Sequence, residues 1–264
     1  MNIRVGIGGW TYEPWRGTFY PPGLPHALEL AHASRQLTSI EVNGTFYRTQ
    51  TPETFRKWAA EVPDGFVFSI KGPRYVVDRK NLAAAGEKID WFFGSGLEEL
   101  GDKLGPIYWL LGPKKMFDRD EIARFFDRLP QTLNGCSLRH AVEVRHESFT
   151  TPAFVELARE RSIAITFADS DGYPGIADLT SDFVYARLRR SMAEEPAGYP
   201  SAALDHWADI AHGWARGELP EGLTYLTSKQ PKVPSRDVFV YFISGAKAHN
   251  PAAATALIER LAKR

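Results

Sequence analysis

Short apolar runs rich in β-branched and aromatic residues recur along this chain. Most are separated by stretches whose apolar positions repeat with a helical period. Eight runs predict strands: Ile3–Gly8, Ser39–Phe46, Phe66–Lys71, Ile107–Leu111, His140–Arg145, Ala164–Asp169, Phe183–Leu188 and Val238–Ser244. Helical patterns fall over Leu24–Leu37, Pro52–Val62, Lys88–Leu104, Asp118–Leu129, Pro152–Ser162, Ser201–Arg216 and Pro251–Lys263. Thr51-Pro52, Thr151-Pro152 and Asn250-Pro251 each supply a cap residue followed by proline at the first helical position. Strands alternating with helices predict parallel pairing through crossovers. Eight such strands in 264 residues fit one TIM-type (β/α)8 barrel spanning residues 1–264. Asp169–Asp182 contains S-D-G-Y-P-G and has no helical period, so the helix between strands six and seven is expected to be missing. An open doubly wound sheet is the weaker alternative, because Gly6-Ile7-Gly8-Gly9 does not complete a dinucleotide fingerprint. Gly217–Arg236 is expected to be a surface excursion.

In such a barrel the C-terminal strand ends build the active site. The run Ala141–His146, A-V-E-V-R-H, places Glu143 and Arg145 on one face of strand five, with His146 following. Strand two ends with Glu41 and Asn43 on one face, and strand three ends at Lys71. Strand six ends at Asp169. Strand seven puts Tyr185, Arg187 and Arg189 on one face, and strand eight carries Tyr241 and ends near Ser244. Polar residues thus gather at one end of successive strands. Each could belong to a structural ion pair, Glu41 with Lys71 or Glu143 with Arg145 or Arg187. As a group they are better explained by a site, since desolvating many charges rarely gains net stability.

The first loop, W-T-Y-E-P-W-R-G-T-F-Y-P-P-G, holds five aromatics. Most are expected to pack on one another. Trp10 and Tyr12, nearest the strand end, are the candidates for stacking on a ligand. Two other loops are basic: Gly72–Lys80 with Arg74, Arg79 and Lys80, and Gly112–Lys115 with Lys114 and Lys115. Ser244–Lys247 precedes a helix, where barrels often bind phosphate. Anion binding by this rim is therefore expected.

Composition removes several classes. The formal net charge is zero, which argues against broad duplex binding. Cys136 is the single cysteine, so no intramolecular disulfide and no cysteine zinc site can form. No apolar run approaches the length of a membrane helix, and the N-terminus shows no signal-peptide core, so a cytoplasmic protein is the expectation.

The segments G-G-W-T-Y-E-P-W-R-G-T-F-Y-P, I-E-V-N-G-T-F-Y-R, F-V-F-S-I-K-G-P, A-V-E-V-R-H, Y-A-R-L and V-F-V-Y-F, in this order, resemble the YecE-like family, also called domain of unknown function 72. The resemblance spans nearly the whole chain. It implies a TIM-type barrel and names no reaction. Glu41, Asn43, Lys71, Glu143, Arg145 and His146 match the family pattern. Other positions depart from it. A glutamine and two prolines usual after strand four are W-L-L-G-P-K-K here, and a threonine-histidine pair after strand three is V-V-D-R. The histidine-glycine usual after strand seven is Arg189-Arg190, and the asparagines ending strand eight give way to F-I-S-G-A-K. These changes make the rim more basic and imply a branch with a different ligand if those positions contact one.

The leading functional expectation is an enzyme acting on a small anionic, phosphorylated or sugar-like molecule. Glu41, Lys71, Glu143 and His146 are the catalytic candidates. Trp10, Tyr12, Asn43, Arg145, Asp169, Tyr185, Arg187, Tyr241 and Ser244 are the binding candidates. No cofactor is indicated. A metal-dependent version would draw on Glu41, Glu143, Asp169 and His146, without support from any tight ligand spacing. A nucleic-acid or nucleotide binder, suggested by the basic loops and first-loop aromatics, is less favoured. A non-catalytic barrel scaffold, whose mouth charges would cancel, is the remaining alternative.

Overall fold

The computed structural model describes residues 2–228 and 233–263. Among them, nine parallel strands form a nearly closed barrel, and helices cover its outside. The strands are β1 (Ile3–Gly8), β2 (Ser39–Val42), β3 (Val67–Lys71), β4 (Leu104–Leu111), β5 (His140–Val144), β6 (Ala164–Ile165), β7 (Phe167–Asp169), β8 (Phe183–Leu188) and β9 (Asp237–Phe242). Their spatial order is β6-β5-β4-β3-β2-β1-β9-β8-β7.

The predicted sixth strand is therefore split at Thr166. Its first half pairs with β5 and its second half with β8, so one short segment closes the barrel from both sides. The connection from β7 to β8 has no helix, as its sequence predicts. It runs back along the wall instead, burying Ile176, Ala177 and Leu179. Thr180 Oγ1 accepts the Ile165 N–H at 3.0 Å and donates to the Ile163 carbonyl at 2.6 Å. That hydroxyl occupies the ladder edge that β6 leaves open, and an unpaired edge there would cost buried hydrogen bonds.

Two expected elements are shorter than their patterns. Strand two stops at Val42, and Gly44–Tyr47 forms a helical turn. The run Lys88–Leu104 breaks after the helix Gly86–Phe93, then continues as the 3-10 turns Leu97–Lys103. The break falls at Gly96, whose φ of +101° and approach to Pro52, 2.7 Å from an added Cβ, admit no side chain. The excursion before β9 is described only in part, because residues 229–232 lie outside the described residues.

Alternation along the strands separates two apolar groups. Outward positions such as Val5, Ile7, Trp109, Val142 and Phe242 pack against the helices. Inward positions, among them Tyr108, Ala141, Phe183, Tyr185, Phe239 and Tyr241, fill the barrel. Gly6 leaves room within this filling. A Cβ there would lie 2.0 Å from the Ser39 carbonyl oxygen and 3.3 Å from the Tyr241 ring, and its absence lets the Ser39 and Tyr241 hydroxyls meet at 2.7 Å.

Candidate active site at the barrel mouth

Above this hydroxyl-bearing tier the strands end in charge. Register places Ser69 beside Glu41, Tyr108 beside Lys71, Leu110 beside Glu143 and Tyr241 beside Arg187. Five of the sequence candidates, Glu41, Asn43, Glu143, Arg145 and Tyr185, thereby converge with Tyr108 in one network around the guanidinium of a sixth, Arg187. Arg187 Nη1 donates to Glu143 Oε2 at 2.5 Å and to the Tyr108 hydroxyl at 2.7 Å, and Nη2 donates to Glu41 Oε1 at 3.1 Å. Its Nε lies 3.1 Å from Glu41 Oε2, but without hydrogen-bond geometry. The Tyr185 hydroxyl donates to Glu41 Oε2 at 2.7 Å, Tyr108 to Glu143 Oε2 at 2.8 Å, and Arg145 Nε to Glu143 Oε1 at 2.8 Å. Asn43 Nδ2 adds a 3.2 Å bond to Glu41 Oε1. Glu41 and Glu143 are fully buried, and so, nearly, is Arg187. A guanidinium forked between two carboxylates satisfies the charges that burial would otherwise leave exposed to a low-dielectric interior.

The electrostatics follow from this wiring. Burial pushes the Glu143 carboxyl up, but Arg187 and Arg145 outweigh it and hold its pKa down to about 2. Burial works against the charged form of Arg187 too, yet the two carboxylates raise it well above its usual range. Tyr108 and Tyr185 are pushed up, first by burial, and stay protonated donors. Glu143 is therefore a locked carboxylate with both oxygens engaged.

Lys71 differs. Its residue is 8% exposed, and its Nζ sits 4.3 Å from the Phe46 ring centroid and 5.7 Å from that of Tyr108. Among the described residues no carboxylate comes within ion-pair distance of it; Glu41 pairs with Arg187 instead. Burial lowers its pKa to about 8, against the pull of Glu41 and Glu143. Arg189 is likewise without an acidic partner among the described residues. Its guanidinium stacks 5.2 Å from the Tyr173 ring centroid, and Arg145 stacks on the same ring at 4.3 Å. Tyr173 comes from the helix-free connection and covers the rim. A recess of about 470 Å³ opens beside it, lined by Arg145, His146, Asp171 and Tyr173 among others.

The other candidates lie outside this cluster. His146 lines the recess, but its Nδ1 accepts the Ser148 N–H at 3.1 Å and meets the Ser148 hydroxyl at 2.9 Å, which caps the following turn. Asp169 pairs with Arg190 at 3.0 Å on the rim, and burial, ahead of the opposing Arg190, raises its pKa. Tyr241 sits one tier lower, bonded to Ser39. Trp10 packs edge-on against Trp58 at 5.0 Å and near Phe68. Tyr12 lies under Lys247 Nζ at 4.3 Å. The Ser244 carbonyl accepts from Ser191 Oγ at 3.1 Å and Asn250 Nδ2 at 3.2 Å, tying the last two mouth loops together. The four side chains considered as metal ligands do not converge: among the described residues no group of three His, Cys, Asp or Glu is placed to hold an ion. Also among the described residues, no helix is long and apolar enough to cross a membrane.

Sequence reasoning missed Tyr108, Ser69 and Tyr173 and left Arg189 outside the site. Tyr108 was accessible through strand alternation, being two residues before Leu110 on the inward face of I-Y-W-L-L. Tyr173 carried no such signal, since an irregular loop has no period.

The sequence model of the family described as "Protein of unknown function DUF72" matches residues 4–264. The chain belongs to the DUF72 family. The UPF0759 protein YecE of Escherichia coli (strain K12) is 28% identical over 149 residues, 56% of this chain and 50% of that protein. The chain thus spans about half the length of the curated relatives it matches. A DUF72 family protein from Thermotoga maritima MSB8 has a crystal structure similar to this one, with a TM-score of 0.75 at 18% identity covering 100% of both chains. A second, from Enterococcus faecalis V583, gives 0.72 at 14% identity, covering 98% of this chain and 95% of that one. These structural likenesses are of fold. They agree with the DUF72 barrel read from the motifs and leave the chemistry to the mouth itself.

Proposed function

We propose that this DUF72 protein is an enzyme acting on a small anionic substrate at the C-terminal mouth of its barrel. One observation carries this reading: four cations face two carboxylates, and the carboxylates are consumed by Arg187 and Arg145. Lys71 and Arg189 remain as positive charge without an acid. A purely structural ion-pair plug would cancel its charges, so the surplus counts against a scaffold. In this reading Glu41 and Glu143 hold Arg187 and orient Arg145. Arg145 and Arg189 receive the anionic group, and Tyr173 covers it. Lys71, with its pKa lowered to about 8 by burial and no acidic partner among the described residues, is the proton-transfer residue.

The test is a thermal-shift panel of phosphorylated and carboxylated metabolites on the wild type, Arg189→Gln and Lys71→Met, followed by turnover assays with each stabilising compound. Phosphorylated compounds should stabilise the wild type. Arg189→Gln should lose the stabilisation given by the compounds that are turned over, and Lys71→Met should lose turnover. A panel with no stabilising compound, or equal shifts and turnover in all three proteins, overturns the reading.

A further inference from the structure

Two basic loops that the sequence holds 35 or so residues apart come together on the outer rim. The segment after β3 and the segment after β4 face each other across a cleft of about 770 Å³. Lys115 pins its two walls: its Nζ donates to the Lys80 carbonyl at 2.8 Å and to Glu121 Oε1 at 2.9 Å. The cleft carries five cations, Arg74, Arg79, Lys80, Lys114 and Lys115, against the acids Asp78, Asp118 and Glu121.

The acids are all engaged. Asp78 pairs with Arg74 at 2.6 Å, Glu121 with Lys115, and Asp118 Oδ1 caps its helix by accepting the Glu121 N–H at 2.9 Å. Arg79 spends its Nε on the Tyr75 carbonyl at 3.1 Å, which neutralises no charge. Lys80, Lys114 and Arg79 therefore present cations with no acidic partner among the described residues. A second, independent feature lies on the same wall. Met116 is 62% exposed, one of few large apolar side chains left in water, and Val77 and Pro113 line the cleft with it. A concave site of this size with a flexible apolar contact and a few convergent charges has the anatomy of a small-ligand pocket.

The structure assigns this cleft as a binding site for an organic di- or triphosphate, with phosphoryl groups on Lys80, Lys114 and Arg79 and an apolar ring against Met116. Single charges of carboxylate type would leave the surplus uncompensated, and an apolar ligand would leave the cations desolvated. Only a ligand carrying both parts uses both features. The cleft shares no lining residue with the Arg187 cluster or with the recess beside Tyr173, and it does not rest on the function proposed for them.

Calorimetric titration of the full chain with ADP and with inorganic pyrophosphate tests the assignment. Lys80 and Lys114 are exposed, so Lys80→Ala/Lys114→Ala should fold normally and weaken both probes by roughly tenfold or more. Met116→Ser should weaken ADP and leave pyrophosphate unchanged. Arg189→Gln, a mouth variant, should bind ADP as the wild type does. The assignment is overturned by no binding of either probe at millimolar concentration, by unchanged affinity in the double variant, or by loss of ADP in Arg189→Gln alone, which would move the anion to the mouth. Binding of a single-stranded oligonucleotide through the same lysines with no binding of ADP also overturns it.

Discussion

Replacing Arg187 with methionine removes the charge that two buried carboxylates share. The side chain it replaces makes three hydrogen bonds, to Glu143, Glu41 and the Tyr108 hydroxyl. Methionine fills much of the same volume, so packing changes little and the electrostatic loss dominates. Glu143 keeps Arg145 and Tyr108, and Glu41 keeps Tyr185 and Asn43. Breaking one buried pair costs about 3–5 kcal/mol, and here two acceptors lose one cation, so about 4–5 kcal/mol of stability should be lost at pH 7. The loss should depend on pH in a particular direction. In the wild type Glu143 titrates near 2 against an ordinary 4.5. Its stabilisation, on the order of 3 kcal/mol, is complete above pH 4.5 and disappears as pH falls through 2. In the variant the Glu143 carboxyl is expected to titrate above 4.5. A raised folded-state pKa gives stability that is present below the unfolded value and lost as pH rises through the folded one. The gap between the two proteins should therefore narrow from pH 7 toward pH 4.5. Urea midpoints for both at several pH values, at constant m-value, read the gap directly. A gap under about 1 kcal/mol, or one that does not change with pH, would refute the claim that Arg187 neutralises both carboxylates.

Three further outcomes follow from the same physics. Thr166 sits at the barrel seam, 2% exposed, with its hydroxyl making no hydrogen bond; Thr166→Val should raise stability by about 1 kcal/mol, read by thermal melting, and a destabilised variant would reveal a missed partner. His140 is held neutral, burial lowering its pKa to about 4, while its Nδ1 accepts the Trp109 indole N–H at 3.2 Å and its Nε2 meets the Pro130 carbonyl at 2.7 Å. Its depressed pKa means that stability is full above about pH 6.5 and falls between pH 6.5 and 4; in denaturant melts His140→Gln should flatten that slope, and an unaltered slope would assign it elsewhere. Gly6→Ala would force β1 away from β2, where the added Cβ meets the Ser39 carbonyl oxygen at 2.0 Å; a loss of about 3 kcal/mol or failure to fold is expected, and a wild-type melting curve would show that the barrel wall yields there.

Much of this architecture was legible because strand and helix periods are written locally. Phe183–Leu188 and Ile3–Gly8 match their predicted bounds, and the helix-free crossover was announced by S-D-G-Y-P-G. What was illegible depends on contacts between distant segments. The break at Gly96 exists because Pro52 lies against it. The split at Thr166 exists because Thr180 covers an open edge. Alternation showed which polar residues face the mouth, but partner choice there is set by register around the barrel. On paper Glu41 was paired with Lys71, and Arg187 only with Glu143.

That choice decides the chemistry available. Had Glu41 paired with Lys71, Arg187 would have served Glu143 alone, and the lysine would have been tied to a counter-ion. Register instead brings Tyr185 and Arg187 to Glu41, so both carboxylates are spent on one guanidinium. The two acidic candidates both hydrogen-bond the Arg187 guanidinium. The residue left with a mobile proton is the lysine, lowered to about 8 by burial and held by no counter-ion. On the function proposed above, the mouth would select negative charge first and move a proton second, so the residues that would distinguish its substrates are Arg145, Arg189 and the covering Tyr173 rather than Glu143. Variation at Arg189, where the family pattern has histidine, should accordingly change which anion is bound while leaving the Glu41–Arg187–Glu143 arrangement intact.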